Sequence, residues 1–248
     1  MQQTGARQDV TVGILALQGA FAEHQVMFQK ISSKRKAVIV LVRTPEDLER
    51  CDALVIPGGE STTIALLARL AGLLDPMRQF LKKKPVWGTC AGAILLAEAV
   101  EGQKKGGQEV LSGITLKIAR NGWGSQVESF EADLEIEGLR ESNRPFHGVF
   151  IRAPVVLDLL PTLTSPPIQI ISRISASLLP SSIVNRPLDE DDTDPTDPRT
   201  IVALRQGKHL LTTFHPELTK DCRFHEYFVT ECVVPSLLER EKEEGVLA

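Results

Sequence analysis

The chain has 248 residues, 42% of them apolar, and a formal net charge of −4. That length suits one α/β domain better than two very small ones, and the apolar share excludes a disordered chain. The mild charge points away from a nucleic-acid surface: the dense basic runs, Lys34-Arg35-Lys36 and Lys82-Lys83-Lys84, are short and read as solvated turns beside strands.

Met1 to Asp9 is polar and lacks the apolar stretch of a secretory signal, so a flexible N-terminus is expected there. No apolar run has the length of a membrane span. Cys51, Cys90, Cys222 and Cys232 form no Cys-x-x-Cys pair, which argues against a zinc knuckle or a thioredoxin-type site. A soluble chain with free thiols in a reducing cytoplasm is the expectation.

Val10 to Leu17 is a continuous apolar run, the pattern of a strand buried on both faces. Gly19 ends it, and Ala20 to Ile31 has apolar residues at helical spacing. Ala37 to Val42 predicts a second buried strand. Pro45 then opens a short helix to Arg50, where its missing N–H costs nothing. Ala53 to Ile56 reads as a third strand, Ser61 to Leu74 as a helix, Pro85 to Gly88 as a fourth strand and Ala91 to Ala99 as a helix.

This alternation predicts a doubly wound, mostly parallel sheet flanked by helices. The second half adds strands over Leu111–Ile118, Phe130–Ile136, Gly148–Ile151, Ile168–Ile174, Thr200–Arg205 and Leu210–Phe214, with a hairpin turn at Gly207-Lys208. These read as antiparallel additions to one domain spanning about residues 10–245. Pro180 to Arg199, rich in Asp and Pro, cannot build a packed core, so a mobile surface insertion is expected from about residue 176 to 199. Asp221 to Glu243 reads as a closing helix, bent near Pro235.

Ligands of such sheets bind beyond the carboxyl ends of the strands. Gln18-Gly19, Gly58-Gly59 and Cys90 all fall at such ends. Gly88-Thr89-Cys90-Ala91-Gly92 has the spacing of a nucleophile elbow, with cysteine where hydrolases carry serine. A tight strand-to-helix turn projects the side chain, the flanking glycines permit close approach, the helix N-terminus favours thiolate, and the Ala91 N–H suits an oxyanion. A lone cysteine after a core strand is more often a buried apolar residue; the elbow spacing reverses that reading.

In Phe214-His215-Pro216-Glu217, the proline biases His215 to an extended backbone, so Glu217 projects to the same side as His215 and reaches its ring directly or after a slight bend. A carboxylate on one ring nitrogen leaves the other free to take a proton from sulfur. A metal site built from Cys90, His215 and Glu217 is a poor alternative, because a fourth ligand is missing. Pro57-Gly58-Gly59-Glu60-Ser61-Thr62 offers glycine N–H groups to an oxyanion, with Ser61 as a possible N-cap, and it lacks the lysine of a phosphate loop. His24, His147, His209 and His225 have no nucleophile beside them in sequence and read as structural or surface residues, as do Cys51, Cys222 and Cys232.

With these pieces assembled, the chain resembles the class I, triad-type glutamine amidotransferases, and among them the glutaminase subunits of pyridoxal 5′-phosphate synthase. The resemblance rests on Val12 to Gly19, Pro57 to Thr62, Gly88 to Gly92, Arg120-Asn121 with Gly124 and Gln126, Ser129-Phe130-Glu131, Phe150 to Pro154 and Phe214 to Glu217. It implies Cys90 as nucleophile, His215 as general base and then acid, and Glu217 as the residue that orients it. It further implies an oxyanion hole from Gly58, Gly59 and Ala91, completed by a backbone flip near Gly58. Glutamine would be held by Gly59, Glu60, Ser61, Arg120, Ile151 and Arg152, and Gln18 would lie near the oxyanion hole and the partner contact.

The implied partner is a barrel-shaped synthase subunit that takes ammonia and builds pyridoxal 5′-phosphate, with no metal or organic cofactor required in this chain. Trp123 and Ser125 depart from the common pattern, Ser125 leaning toward a eukaryotic member, and the insertion is longer than in compact members. Two rivals stay open on sequence alone: another amidotransferase-like hydrolase, such as a γ-glutamyl peptidase or the glutaminase of a different synthase, and a non-catalytic regulatory subunit.

Overall fold

The computed structural model describes residues 9–32, 35–102, 107–120, 129–179, 196–243 and 245. Residues 1–8 of the expected flexible N-terminus, Asn121, Trp123, Gly124, Ser125, Gln126 and most of the acidic insertion lie outside the described residues.

The elements run β1 (Val10–Leu15), α1 (Phe21–Lys30), β2 (Ala37–Val42), α2 (Pro45–Glu49), β3 (Ala53–Ile56), α3 (Ser61–Leu70), α4 (Leu74–Lys83), β4 (Val86–Thr89) and α5 (Ala91–Leu96). There follow β5 (Ala97–Glu101), β6 (Ile114–Ala119), β7 (Ser129–Leu134), β8 (Phe146–Ile151), β9 (Val155–Leu159), β10 (Ile168–Arg173), β11 (Ile201–Gln206) and β12 (His209–Thr212). The described chain closes with α6 (Arg223–Tyr227), a π-helical turn (Phe228–Val233) and α7 (Val234–Glu243).

The main sheet has the order β10-β11-β12-β4-β3-β1-β2. The stretch β12-β4-β3-β1-β2 is parallel, and β10 and β11 join antiparallel. The expected architecture is therefore present, including its antiparallel additions. Side chains of a strand alternate between faces. Ala53 and Val55 of β3 pack with Phe28, Phe224 and Phe228 on one side of the sheet, while Leu54 and Ile56 pack with Ile64, Met77 and Leu96 on the other. Both faces are covered, which is why these strands read as unbroken apolar runs rather than alternating ones.

Several expectations need correction. The helix expected over Ser61–Leu74 is two helices: Ala71 ends α3, Gly72 takes φ +69, and α4 begins at Leu74. Glycine in the left-handed region after a helix is the usual terminator, and Pro76 in the first turn of α4 loses no intrahelical bond. The Lys82-Lys83-Lys84 run is consequently the last turn of α4 and its C-cap, where cations meet the negative helix end. Helix α5 stops at Leu96, and Ala97–Glu101 is strand, paired with β6. Strand β9, absent from the sequence reading, pairs with β6.

The closing helix is interrupted near Pro235 as expected, through a π-helical turn. Proline there cannot donate to the Glu231 carbonyl four residues back, and Arg205 Nη1 supplies a donor to that oxygen at 3.1 Å. At the edges of the insertion, Ala176–Leu178 and Pro198–Thr200 are single 3-10 turns, and Arg173 Nη1 donates to the Asp197 carbonyl at 2.7 Å.

Candidate active site

Strands β1, β3, β4 and β12 are consecutive neighbours in the sheet and point the same way. Their carboxyl ends therefore bring Gln18, Gly58-Gly59, Cys90 and His215 to one edge. Gln18, Gly59, Glu60, Ser61, Cys90, Ala91, Ile94, Arg120, Ile151, Arg152 and His215 line one cavity there, with a volume of about 300 Å³. This falls at the small end of the range for ligand pockets.

Cys90 has φ 48 and ψ −104, an uncommon conformation for a non-glycine residue. The surroundings hold it there. Its backbone N–H donates to the Thr212 carbonyl at 2.9 Å, and its carbonyl accepts from Ala93 and Ile94 in the first turn of α5. The flanking glycines are required by contact: a methyl on Gly88 would sit 2.4 Å from the Gly92 carbonyl oxygen, and one on Gly92 would sit 2.0 Å from that of Ile56. Ala91 is the first residue of α5, where a backbone N–H has no intrahelical acceptor, and Cys90 Sγ lies 3.9 Å from the Ile151 carbonyl. Burial raises the Cys51 and Cys232 thiols to about 12, which makes both unreactive at neutral pH.

His215 Nδ1 and Glu217 Oε1 are 2.6 Å apart and buried. Of the two routes expected for Glu217, direct or after a bend, the structure has the bend: His215 has φ −107 and ψ 83, and Pro216–Leu218 forms a 3-10 turn that brings the carboxylate back to the ring. The His215 N–H donates to the Val149 carbonyl at 2.8 Å, anchoring it to β8. Burial works to lower the His215 imidazole, but its side-chain contacts with Cys90 and Glu217 outweigh this and raise it to about 10. Burial likewise works to raise Glu217, and the His24 and His215 rings overcome it, holding the carboxyl below its usual value. An imidazolium held between sulfur and carboxylate stabilises a thiolate.

Gly58 lies directly under His215, since a methyl there would come 2.3 Å from His215 Cε1 and 3.3 Å from Cys90 Cβ. Its carbonyl accepts from the Ala20 N–H at 3.0 Å, which defines the orientation of the Gly58–Gly59 peptide. Gln18 Oε1 accepts from the Glu60 N–H at 2.9 Å. The N-cap of α3 is Glu60, not Ser61: Glu60 Oε1 accepts from Thr62 Oγ1 at 2.8 Å and also pairs with Arg120 Nη2 at 2.5 Å. Ser61, buried at the first helical position, donates to Gln108 Oε1 at 3.3 Å. Arg152 has φ 42, turning the chain sharply after β8.

The site thus gathers the candidate residues named from sequence. Sequence reasoning missed Ile94 and Gln108, and it left His24 and His225 among structural or surface positions. Both histidines are fully buried, and they stand behind Glu217. Among the described residues, no group of His, Cys, Asp and Glu is arranged to hold a metal ion, and no helix is long and apolar enough to cross a membrane.

The sequence profile of the SNO glutamine amidotransferase family matches residues 14–234. A protein of Arabidopsis thaliana named "Probable pyridoxal 5'-phosphate synthase subunit PDX2" is 42% identical, over 89% of this chain and 85% of its own length. A protein of Roseiflexus named "Pyridoxal 5'-phosphate synthase subunit PdxT" is 43% identical, over 89% of this chain and 99% of its own. A solved structure described as a glutamine amidotransferase superposes with a TM-score of 0.66 at 40% identity, covering 88% of this chain and 96% of that one.

Proposed function

The chain belongs to the SNO glutamine amidotransferase family, and on that premise we infer that it hydrolyses L-glutamine to L-glutamate and ammonia as the glutaminase subunit of pyridoxal 5′-phosphate synthase. The observation that carries the chemistry is the strained Cys90 elbow facing an imidazole that is itself paired with a buried carboxylate.

In the proposed reaction the Cys90 thiolate attacks the side-chain amide carbon of glutamine, forming a C–S bond and an oxyanion. The oxyanion is received by backbone N–H groups of Ala91 and the Gly58-Gly59 turn. Protonated His215 gives its proton to the amide nitrogen, the C–N bond breaks and ammonia leaves. A water molecule, deprotonated by His215, attacks the thioester; the C–S bond breaks and glutamate is released. Atoms balance as one glutamine and one water to one glutamate and one ammonia.

Glu60 carries a charge suited to the α-ammonium of glutamine, and Arg120 and Arg152 charges suited to its α-carboxylate. The three line the cavity with Ile94 and Ile151. The small volume favours a single free amino acid over a larger peptide. Ammonia would pass to a separate synthase subunit, in keeping with the printed names of the relatives, and Gln18, which accepts from the Glu60 N–H at the cavity, would respond to that contact.

A glutamine analogue carrying a diazoketone at the amide position tests the nucleophile. Mass spectrometry should find the adduct on Cys90 and none on Cys51, Cys222 or Cys232. Labelling elsewhere, or labelling not suppressed by excess glutamine, would contradict the assignment.

A further inference from the structure

Glu217 uses one carboxylate oxygen on His215. The other, Oε2, is buried and has no hydrogen bond among the described residues, and His24 Nε2 of α1 faces it at 3.4 Å. The same ring nitrogen lies 3.2 Å from Thr89 Oγ1, the residue before the nucleophile. On its far side, His24 Nδ1 is 2.9 Å from His225 Nε2 of α6. His225 Nδ1 is buried without a partner among the described residues. Trp87 and Phe28 enclose the two rings edge-on, so water is kept from them.

These contacts constrain where the protons sit. Burial lowers both His24 and His225 to about 3, so both rings are neutral near pH 7 and each carries one N–H. If His24 were protonated on Nδ1, its Nε2 lone pair would face a carboxylate, and His225 would have to bury an unpaired N–H at Nδ1. If His225 donates from Nε2 to His24 Nδ1, His24 carries its proton on Nε2, toward Glu217 and Thr89. Only an acceptor is then left unpaired at His225, the lesser cost.

We propose that His24 is a positioning residue of the triad, its Nε2–H, fixed in place by His225, holding the second oxygen of Glu217 and keeping that carboxylate ionised behind His215. The proposal rests on the glutaminase reading above. A buried carboxylate stays charged only where donors meet it. At 3.4 Å the contact lies at the long end of hydrogen-bond distances, and His24 Nε2 is the ring nitrogen that faces this oxygen. The groups facing His24 are Glu217 and Pro216's neighbour His215 from the turn after β12, Thr89 from β4 and His225 from α6.

The test compares wild type, His24→Gln and His24→Leu, assayed for glutamate release with the synthase subunit present. His24→Leu should lose about 10²-fold in kcat with KM near wild type, and the alkaline limb of its pH profile should move lower, because His215 is less well held as imidazolium. His24→Gln, which keeps an N–H at similar reach, should recover most of the loss and restore the limb. Wild-type kcat in His24→Leu, or equal damage in both variants with the limb unmoved, would overturn the proposal. A wild type without any glutaminase activity would instead strike at the functional reading.

Because His24→Leu could fail to fold, nitrogen-15 NMR of histidine-labelled wild type supplies an independent readout. Signals of the Nε2–H tautomer for both His24 and His225 near pH 7 support the proposal. An Nδ1–H tautomer at His24 overturns it.

Discussion

Glu217 is fully buried in its side chain, yet its Oε1 sits 2.6 Å from His215 Nδ1, held there by one 3-10 turn that starts at Pro216. Burial of a carboxylate is costly unless a partner meets it, and here that partner is the imidazole proposed above as general base. The pair is thus a structural and a chemical unit at once. Glu217→Gln should keep the hydrogen-bonding shape while removing the charge that holds His215 as imidazolium. A fall in kcat of about 10³-fold is expected, within the range of a general acid–base contribution, with KM little changed. Steady-state kinetics of the assembled enzyme measure this.

His215 is raised from 6.5 to about 10 by Cys90 and Glu217, against burial. A raised folded-state value means that the folded chain holds this proton more tightly than the unfolded one. The stabilising contribution is therefore complete below pH 6.5 and is lost as pH rises toward about 10. Activity that needs imidazolium should decline over the upper part of the same window. A pH profile of glutamate release, read beside the unfolding midpoint in urea, should show both declines.

The opposite sign applies to His24 and His225, lowered by burial from 6.5 to about 3. Unfolded, both take up protons that the folded chain refuses. Their contribution to stability is complete above pH 6.5 and disappears as pH falls toward about 3. Urea midpoints measured between pH 7 and 4 should fall steadily in wild type and less steeply in His225→Phe, which has one fewer group to protonate.

The glycines of the site separate folding from catalysis. A methyl on Gly92 meets the Ile56 backbone at 2.0 Å, where nothing can yield, so Gly92→Ala should cost upward of about 3 kcal/mol and lower the melting temperature sharply. A methyl on Gly58 meets the His215 side chain at 2.3 Å. Gly58→Ala should fold but displace that ring and lose about 10²-fold in kcat. Thermal melts and kinetics on the two variants distinguish the outcomes.

Arg120 pairs with Glu60 across the cavity and is largely buried. Arg120→Met should raise the KM for glutamine by about 10- to 100-fold, the value of a charge-assisted contact, and leave kcat within severalfold. Initial rates over a range of glutamine concentrations check this.

The triad was legible because its signals are local. The elbow needs glycines two residues either side of Cys90, and the His-Pro-Glu turn places its carboxylate two residues from the imidazole. The parallel sheet was legible because strands buried on both faces have no alternation to disguise them. What escaped has physical causes. The split between α3 and α4 turned on one left-handed glycine, Gly72, inside an otherwise helical pattern. The stretch Ala91 to Ala97 is apolar and buried throughout, so the change from helix to strand after Leu96 leaves no periodic trace. His24 and His225 are 201 residues apart and meet only because α1 and α6 pack on the same face of the sheet. Glu60 took the capping role open to Ser61, because Glu60 reaches both Thr62 and Arg120.

The most direct test of the central claim is glutamate release from glutamine by wild type and Cys90→Ala, each with and without the synthase subunit. Release that is stimulated by the subunit and abolished in folded Cys90→Ala is the predicted result. Release that persists in Cys90→Ala, or its absence from wild type under both conditions, would contradict a docked cysteine glutaminase.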